Sequence, residues 1–343
     1  MTDADSALVV INPRAREGGA ADGRAALETR IREAVGSSKV RFEVTGGPGK
    51  APELVRSSLR AGVRRVIAVG GDGTLSEVVQ GFFDGGRAVA PDAELALVPL
   101  GRGNDFFRAL SAGAARRGER AWETGLRFIR EGSTGALDVG QVRFLTGSSA
   151  APEPRFFMNV ASFGFPGLVV ERVANRRGLL ARTWVGRSSA TYLYQSLAGM
   201  SEYAPLPMKV TVDGAVLHEG AVFSGFVLNG VFNAGGVKWS DRASPDDGRF
   251  EVTVLEPRSV GATLRDLPKL RTGRWDGTPG VHVGGGREVR IELLDARAGS
   301  LPRHPLFEID GESVEPRGTW GAEVRVVPGA IRMRLAPAPV RTV

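Results

Sequence analysis

Two short segments set carboxylates among glycines in a way that suits phosphate chemistry. In Gly70-Gly71-Asp72-Gly73-Thr74 the glycines lie between an apolar run, residues 66–69, and a helical pattern that opens at Leu75. Glycine at a strand-to-helix turn lets the backbone close on a phosphate, and the helix start adds N–H groups and a favourable dipole. Asp72 is the odd member. A carboxylate beside phosphates repels them unless a cation stands between, and Mg²⁺ is the natural cation. One strand later, Pro99-Leu100-Gly101-Arg102-Gly103-Asn104-Asp105-Phe106 repeats the arrangement with a second carboxylate. Neither segment runs into Gly-Lys-Ser/Thr, so neither is a Walker loop. The bland alternative for either alone is a tight strand-to-helix turn with Asp or Thr capping the helix. Two on successive strands point instead to the carboxyl edge of an open α/β sheet, where ligands bind.

The flanking pattern supplies such a sheet. Ala7–Ile11, 66–69 and 95–98 are short apolar strands, the first closed by Asn12-Pro13, and Val40–Val44 reads as a further strand. Helical patterns separate them, at about 22–35 and 51–61, then with Leu75, Val78, Val79, Phe82 and Phe83 on one face. Further helices open at Phe106 and span roughly 119–130. Strand and helix in alternation predict a parallel α/β sheet. After about Asp138 the pattern changes to short alternating segments, 156–160, 208–212, 221–228, 250–255, 289–293 and 307–309. Turns such as Asp213-Gly214 and Asp247-Gly248 separate them, an all-β signature that predicts a sandwich. Residues 168–200 mix apolar and Arg positions and read as helix, either an entry flap or a pair packed on the sandwich. Two last strands, 324–327 and 331–335, flank Pro328-Gly329.

Composition narrows the classes. At 343 residues, 42% hydrophobic and 24% charged, the chain is long enough for two domains with separate cores. Cys 0 excludes disulfides, thiolate metal sites and a cysteine nucleophile. No apolar run reaches about eighteen residues and the start lacks a signal-peptide core, so a cytoplasmic protein is expected. The net charge of +7 rests on arginines spread along the chain, with no nucleic-acid motif beside them. Such an excess suits anionic lipid or nucleotide phosphates as readily as a solvated surface. His218, His282 and His304 are far apart without ligand spacing and read as surface or turn positions. Trp239, Trp275 and Trp320 read as core or rim of the β part.

GGDGTLSEVVQG followed by PLGRGNDFFRAL resembles the catalytic domain of the diacylglycerol kinase and sphingosine kinase superfamily, with its bacterial lipid kinases. The opening VVINPRAREGG, then FFMNVASFGF, VLNGVFNAGGVKWSDRASPDDGRFEV and Ile309-Asp310-Gly311-Glu312 agree in order along nearly the whole chain. The resemblance implies a Rossmann-like α/β nucleotide domain of the NAD-kinase and diacylglycerol-kinase type plus a C-terminal β-sandwich. The first domain would span 1–138 with a C-terminal return at 325–343, and the lipid-substrate domain 139–324. It also implies a kinase that uses ATP and Mg²⁺ to phosphorylate a lipid hydroxyl, diacylglycerol-like or sphingoid. Asn12, Thr45, Gly70, Gly71, Asp72, Gly73, Thr74, Leu75, Ser76, Gly101, Arg102, Gly103 and Asn104 would then line the nucleotide. Asp72, Asp105 and Asp138 would arrange metal and water, Asp247 would belong to a second metal loop, and Glu312 would be the general base. The implied partners are the lipid and, transiently, an anionic membrane surface, with no nucleic acid and a homodimer left open.

The sequence departs from the family pattern in places. Arg102 stands where Thr is usual, and Trp239-Ser240-Asp241 and Arg249 alter the surroundings of Asp247. Because GGDGT also occurs in NAD kinases, an NAD kinase is one alternative, opposed by Gly103-Asn104-Asp105-Phe106. A catalytically impaired nucleotide- or lipid-binding regulator is another, opposed by the presence of Asp72, Asp105 and Glu312.

Overall fold

Runs of Val, Ile, Leu and Ala without polar alternation suit strands covered on both faces, and the first third of the chain folds them that way. The computed structural model describes residues 6–13, 23–37, 39–47, 49–101, 103–147, 152–174, 203–294, 306–313 and 315–337. The chain divides into two units, Met1–Val139 with Pro328–Val343, and Gly140–Val327.

In the first unit β1 (Ala7–Ile11), β2 (Val40–Val44) and β3 (Arg65–Gly70) alternate with α1 (Gly23–Val35), α2 (Ala51–Arg60) and α3 (Asp72–Gln80). A small hairpin, β4 (Phe83–Asp84) with β5 (Arg87–Ala88), leads to β6 (Glu94–Pro99), α4 (Asp105–Leu110) and α5 (Ala121–Glu131). The strands lie parallel in the order β2, β1, β3, β6, and the last residues of β19 (Thr319–Arg334) add beside β6 through Arg332 and Met333. Leu27 and Ile31 of α1 and Trp122, Leu126 and Ile129 of α5 cover Val9, Ile67, Val69, Ala96 and Val98 on one face. Each buried aliphatic side chain there contributes roughly 1.5–3 kcal/mol of apolar transfer. A close approach fixes one helix seat: a Cβ on Gly125 would lie 2.5 Å from the carbonyl oxygen of Leu97.

The second unit is a β-sandwich. β7 (Thr134–Thr146) enters it and pairs β8 (Arg155–Phe157), followed by β9 (Val160–Gly164) and α6 (Phe165–Ala174). One antiparallel sheet orders β11 (Ala215–Val222), β10 (Leu206–Val212), β17 (Glu288–Leu293) and β19. The other orders β16 (Val281–Gly286), β15 (Phe250–Leu255), β12 (Ser224–Leu228), β9 and β18 (Phe307–Ile309). Phe157, Phe163, Met208, Val210, Phe250, Val252, Ile291 and Phe307 interdigitate between them. A short hairpin, β13 (Phe232–Asn233) with β14 (Val237–Lys238), and α7 (Val260–Asp266) complete the unit.

Several expectations need correction. The segment expected as one strand at 156–160 breaks at Met158-Asn159 into β8 and β9, because those amides turn toward Asp310. The segment 221–228 likewise divides at Phe223 between the two sheets. The strands expected at 324–327 and 331–335 are one 16-residue strand through Pro328-Gly329. Gly-rich β16 and the 13-residue β7 carry no clean alternation and were not expected. Residues 168–174 are helical as expected, and 175–200 lie outside the described residues. His218 and His282 are not isolated: their rings lie 4.6 Å apart.

Candidate active site

Register gathers the first group of candidate residues. Ile11 pairs with both Val44 and Val69, and Gly70 with Pro99, so β1, β2, β3 and β6 end at one edge. The loops after them carry Asn12, Thr45, Gly71–Thr74 and Gly101–Asn104. The order β2-β1-β3 also reverses chain direction across the sheet between β1 and β3, the switch point at which open α/β sheets bind ligands. Asn12 sits at that reversal. Its N–H donates to the Val69 carbonyl at 3.1 Å, and its Nδ2 donates to Thr74 Oγ1 at 3.0 Å. Thr45 is buried, with its N–H on the Ile11 carbonyl at 3.0 Å. Leu75 and Ser76 are buried in the first turn of α3.

The two glycine turns touch backbone to backbone. A Cβ on Gly71 would lie 2.9 Å from the Gly101 Cα, and one on Gly101 would lie 2.4 Å from the Gly71 Cα. Any side chain at either place would push the turns apart. Asn104 holds the second turn: its Nδ2 donates to the Gly101 carbonyl at 2.7 Å, and its Oδ1 accepts the Gly101 N–H at 3.1 Å. It does so at φ 48, a left-handed conformation that Asn tolerates better than most residues. In α3 the first intrahelical bonds start at the Thr74 and Leu75 amides, both on the Gly71 carbonyl. The amides of Asp72 and Gly73 precede them at the positive end of the helix dipole.

Asp72 also spans the two loops. Its Oδ2 accepts the Asp105 N–H at 3.1 Å and its Oδ1 the Phe106 N–H at 3.3 Å, so it caps the neighbouring helix α4. Burial pushes its carboxyl above the usual range, and these backbone donors pull the other way. Asp105 is buried next to it, with Arg108 Nε 3.9 Å from its Oδ1. Both carboxylates flank Gly103, where a Cβ would lie 3.1 Å from Asp72 Oδ2 and 3.7 Å from Asp105 Oδ2. Two oxygen-bearing anions around a residue with no side chain form a donor set that suits a hard divalent cation. Arg102 lies outside the described residues.

The second unit gathers three of the later motif segments. Ile309 and Glu312 exchange backbone hydrogen bonds at 2.9 and 3.0 Å around Asp310 (φ 46) and Gly311 (φ 88). Positive φ at both central residues makes this a type I′ hairpin turn, for which Asp-Gly is a preferred pair. The buried Asp310 carboxylate accepts the amides of Met158, Asn159 and Val160 at 3.0–3.1 Å. Asn229 closes the group with Nδ2 on the Met158 carbonyl at 2.7 Å. Burial nevertheless pushes Asp310 up to about 7. Glu308 is also buried, bonded to Ser162 and the Gly311 amide, and burial raises its carboxyl too. Glu312 is half-buried on the far side of the turn. Sequence reasoning missed Asp310 as the organiser. The available signal was polar Asn159 and Asn229 interrupting apolar strands, matched by an Asp in a hairpin.

Asp138 is buried on β7 and its Oδ1 accepts the Gly329 N–H at 2.8 Å. Asp247 is exposed, with Oδ1 on the Arg249 N–H at 3.1 Å within its own loop.

The diacylglycerol kinase catalytic domain matches residues 6–142, and the YegS C-terminal NAD kinase beta sandwich-like domain matches residues 160–335. The chain therefore belongs to the lipid kinase family in which these two domains follow one another. Probable lipid kinase YegS-like of Pseudomonas syringae pv. tomato is 29% identical over 328 residues, 93% of each chain. Its namesake in Pseudomonas aeruginosa is 29% identical over 337 residues, 97% of this chain and 95% of its own. A crystal structure of a diacylglycerol kinase from Bacillus anthracis str. Sterne shares the fold, with TM-score 0.63 at 18% identity over 99% of this chain and 100% of that one. Among the described residues no helix is long and apolar enough to cross a membrane.

Proposed function

We propose that this chain transfers the γ-phosphoryl group of ATP, with Mg²⁺, to a hydroxyl of a diacylglycerol-like lipid. The observation that carries the reading is the pair of glycine turns in backbone contact at the switch point, with half-buried Asp72 beside one and buried Asp105 beside the other. Phosphoryl transfer depends on positioning and charge neutralisation more than on covalent help, and this edge offers both. The Asp72 and Gly73 amides would take phosphate oxygens, and Asp72 and Asp105 would hold the metal. Mg²⁺ with ATP supplies the transferable group and the neutralising charge. Asn12, fixed between Val69 and Thr74, keeps the mouth of the site aligned, and Thr45 closes the adjoining strand end. Asp138 and Asp247 stay candidates for water-mediated and loop-metal ligation.

Glu312 is assigned as the base that takes the lipid hydroxyl proton. Its support is the family motif together with the rigid turn: the Asp310 carboxylate is spent on three backbone amides and anchors the hairpin from inside, Glu308 is buried, and Glu312 is half-buried. A base must be held within hydrogen-bond reach of its proton, and a two-residue hairpin has little freedom to drift. Transfer of radiolabel from γ-labelled ATP into an extracted lipid mixture tests the reading, with NAD offered in parallel. Label in a chloroform-soluble phosphate supports it. Label in NADP alone, or in nothing, refutes it.

A further inference from the structure

Two of the three histidines in the chain come together with a carboxylate at one end of the sandwich. His218 lies on β11, His282 on β16, and Glu256 directly follows β15. His282 Nε2 is 2.8 Å and His218 Nδ1 3.7 Å from the same oxygen, Glu256 Oε1. One ligand atom from each residue falls within 4.8 Å of the others. In a tetrahedral zinc site with bonds near 2.0–2.2 Å the ligand atoms stand roughly 3.4 Å apart. The two separations from Glu256 Oε1, 2.8 and 3.7 Å, lie on either side of that value, and χ adjustments would even them out.

We propose that His218, Glu256 and His282 form a transition-metal site, with Zn²⁺ as its natural occupant. Two imidazoles and one carboxylate suit zinc, whereas Mg²⁺ prefers oxygen alone. His218 is 8% exposed, and its Nε2 has no hydrogen-bond partner among the described residues, so this buried ring still has a nitrogen to offer a ligand. His282 and Glu256 are half-buried and leave an approach from solvent.

The placement gives the ion a mechanical role. β11 is the edge strand of one sheet, and β16 with β15 forms the edge of the other. No main-chain hydrogen bonds can join two stacked sheets, so their alignment rests on side-chain packing. An ion held from both would staple the sandwich at this end, a role separate from the phosphate chemistry of the first unit.

The test uses the full chain without a polyhistidine tag, stripped with chelator, re-equilibrated with Zn²⁺ in millimolar Mg²⁺ and dialysed. Atomic emission should find about one zinc per chain, and saturating zinc should raise the unfolding midpoint by roughly 5 °C. Co²⁺ in its place should give the visible bands of a site with imidazole ligands. His282→Gln should weaken zinc binding at least tenfold with the metal-free midpoint unchanged, and His218→Ala with His282→Gln should abolish it. Failure of the wild type to retain zinc, or retention by the double variant, would overturn the assignment.

Discussion

Gly101→Ala isolates the contact on which the nucleotide site depends. The new methyl would lie 2.4 Å from the Gly71 Cα, 3.2 Å from its nitrogen and 2.7 Å from Asn104 Oδ1. Two of these atoms are backbone, so no rotamer change relieves the clash, and the turns must part by the better part of an ångström. Overpacking of this kind costs about 1–3 kcal/mol. Losing the two Asn104–Gly101 hydrogen bonds adds about 1 kcal/mol each, for a destabilisation of about 3–5 kcal/mol. A displacement near 1 Å in a positioning site also costs about a hundredfold in rate. Urea unfolding reads the first effect and steady-state kinetics the second, with titration of a fluorescent ATP analogue reporting nucleotide binding. Gly147→Ala, where an added Cβ meets nothing within 4 Å, is the control and should match the wild type. If Gly101→Ala unfolds at the control's urea midpoint and binds nucleotide equally well, the turns are not in the contact described and the proposed site fails.

Glu312→Gln should lower kcat by about a hundredfold or more with ATP affinity and thermal midpoint unchanged, measured by steady-state kinetics and calorimetry. Asp72→Asn should act twice: it leaves one of the Asp105 and Phe106 amides without an acceptor, costing about 1–3 kcal/mol, and it raises the Mg²⁺ needed for half-maximal activity. An unchanged Mg²⁺ requirement would remove Asp72 from the metal. Glu315 offers a pH test, because burial pushes it up to about 7 from 4.5. Its contribution to stability is complete below about pH 4.5, declines as pH rises, and is gone above about 7, a fall of about 3 kcal/mol. Both the Leu306 and Phe307 amides donate to its Oε2, so Glu315→Gln keeps one acceptor for both and should flatten that decline in urea titrations at pH 4.5 and 8.

The α/β unit was legible because β1, β3 and the core of β6 are apolar runs, β2 is a short Val-Phe-Val strand, and its helices carry one apolar face. The loops that follow the strands could therefore be placed at one edge before any coordinates. Asp72 as a brace was not legible: nothing in a Gly-Asp-Gly-Thr turn says that its carboxylate caps the next helix rather than its own. The sandwich was harder. β16 is half glycine, and the division at Phe223 depends on which sheet each half joins, a tertiary choice invisible to local alternation. The His218–Glu256–His282 group was unreadable for the same reason, since antiparallel pairing across two sheets brings together residues with no motif spacing.

The return of β19 to the first unit bears on how the chain is made. Arg332 and Met333 complete the parallel sheet beside β6, yet the ribosome must first synthesise all of Gly140–Val327. At ordinary elongation rates that takes roughly 10 to 40 s. During that interval the nascent β6 presents a row of unpaired amides and carbonyls, the kind of margin that recruits stray strands. A holding chaperone on the emerging polypeptide, or a slow final docking step after release, is the natural way to protect it.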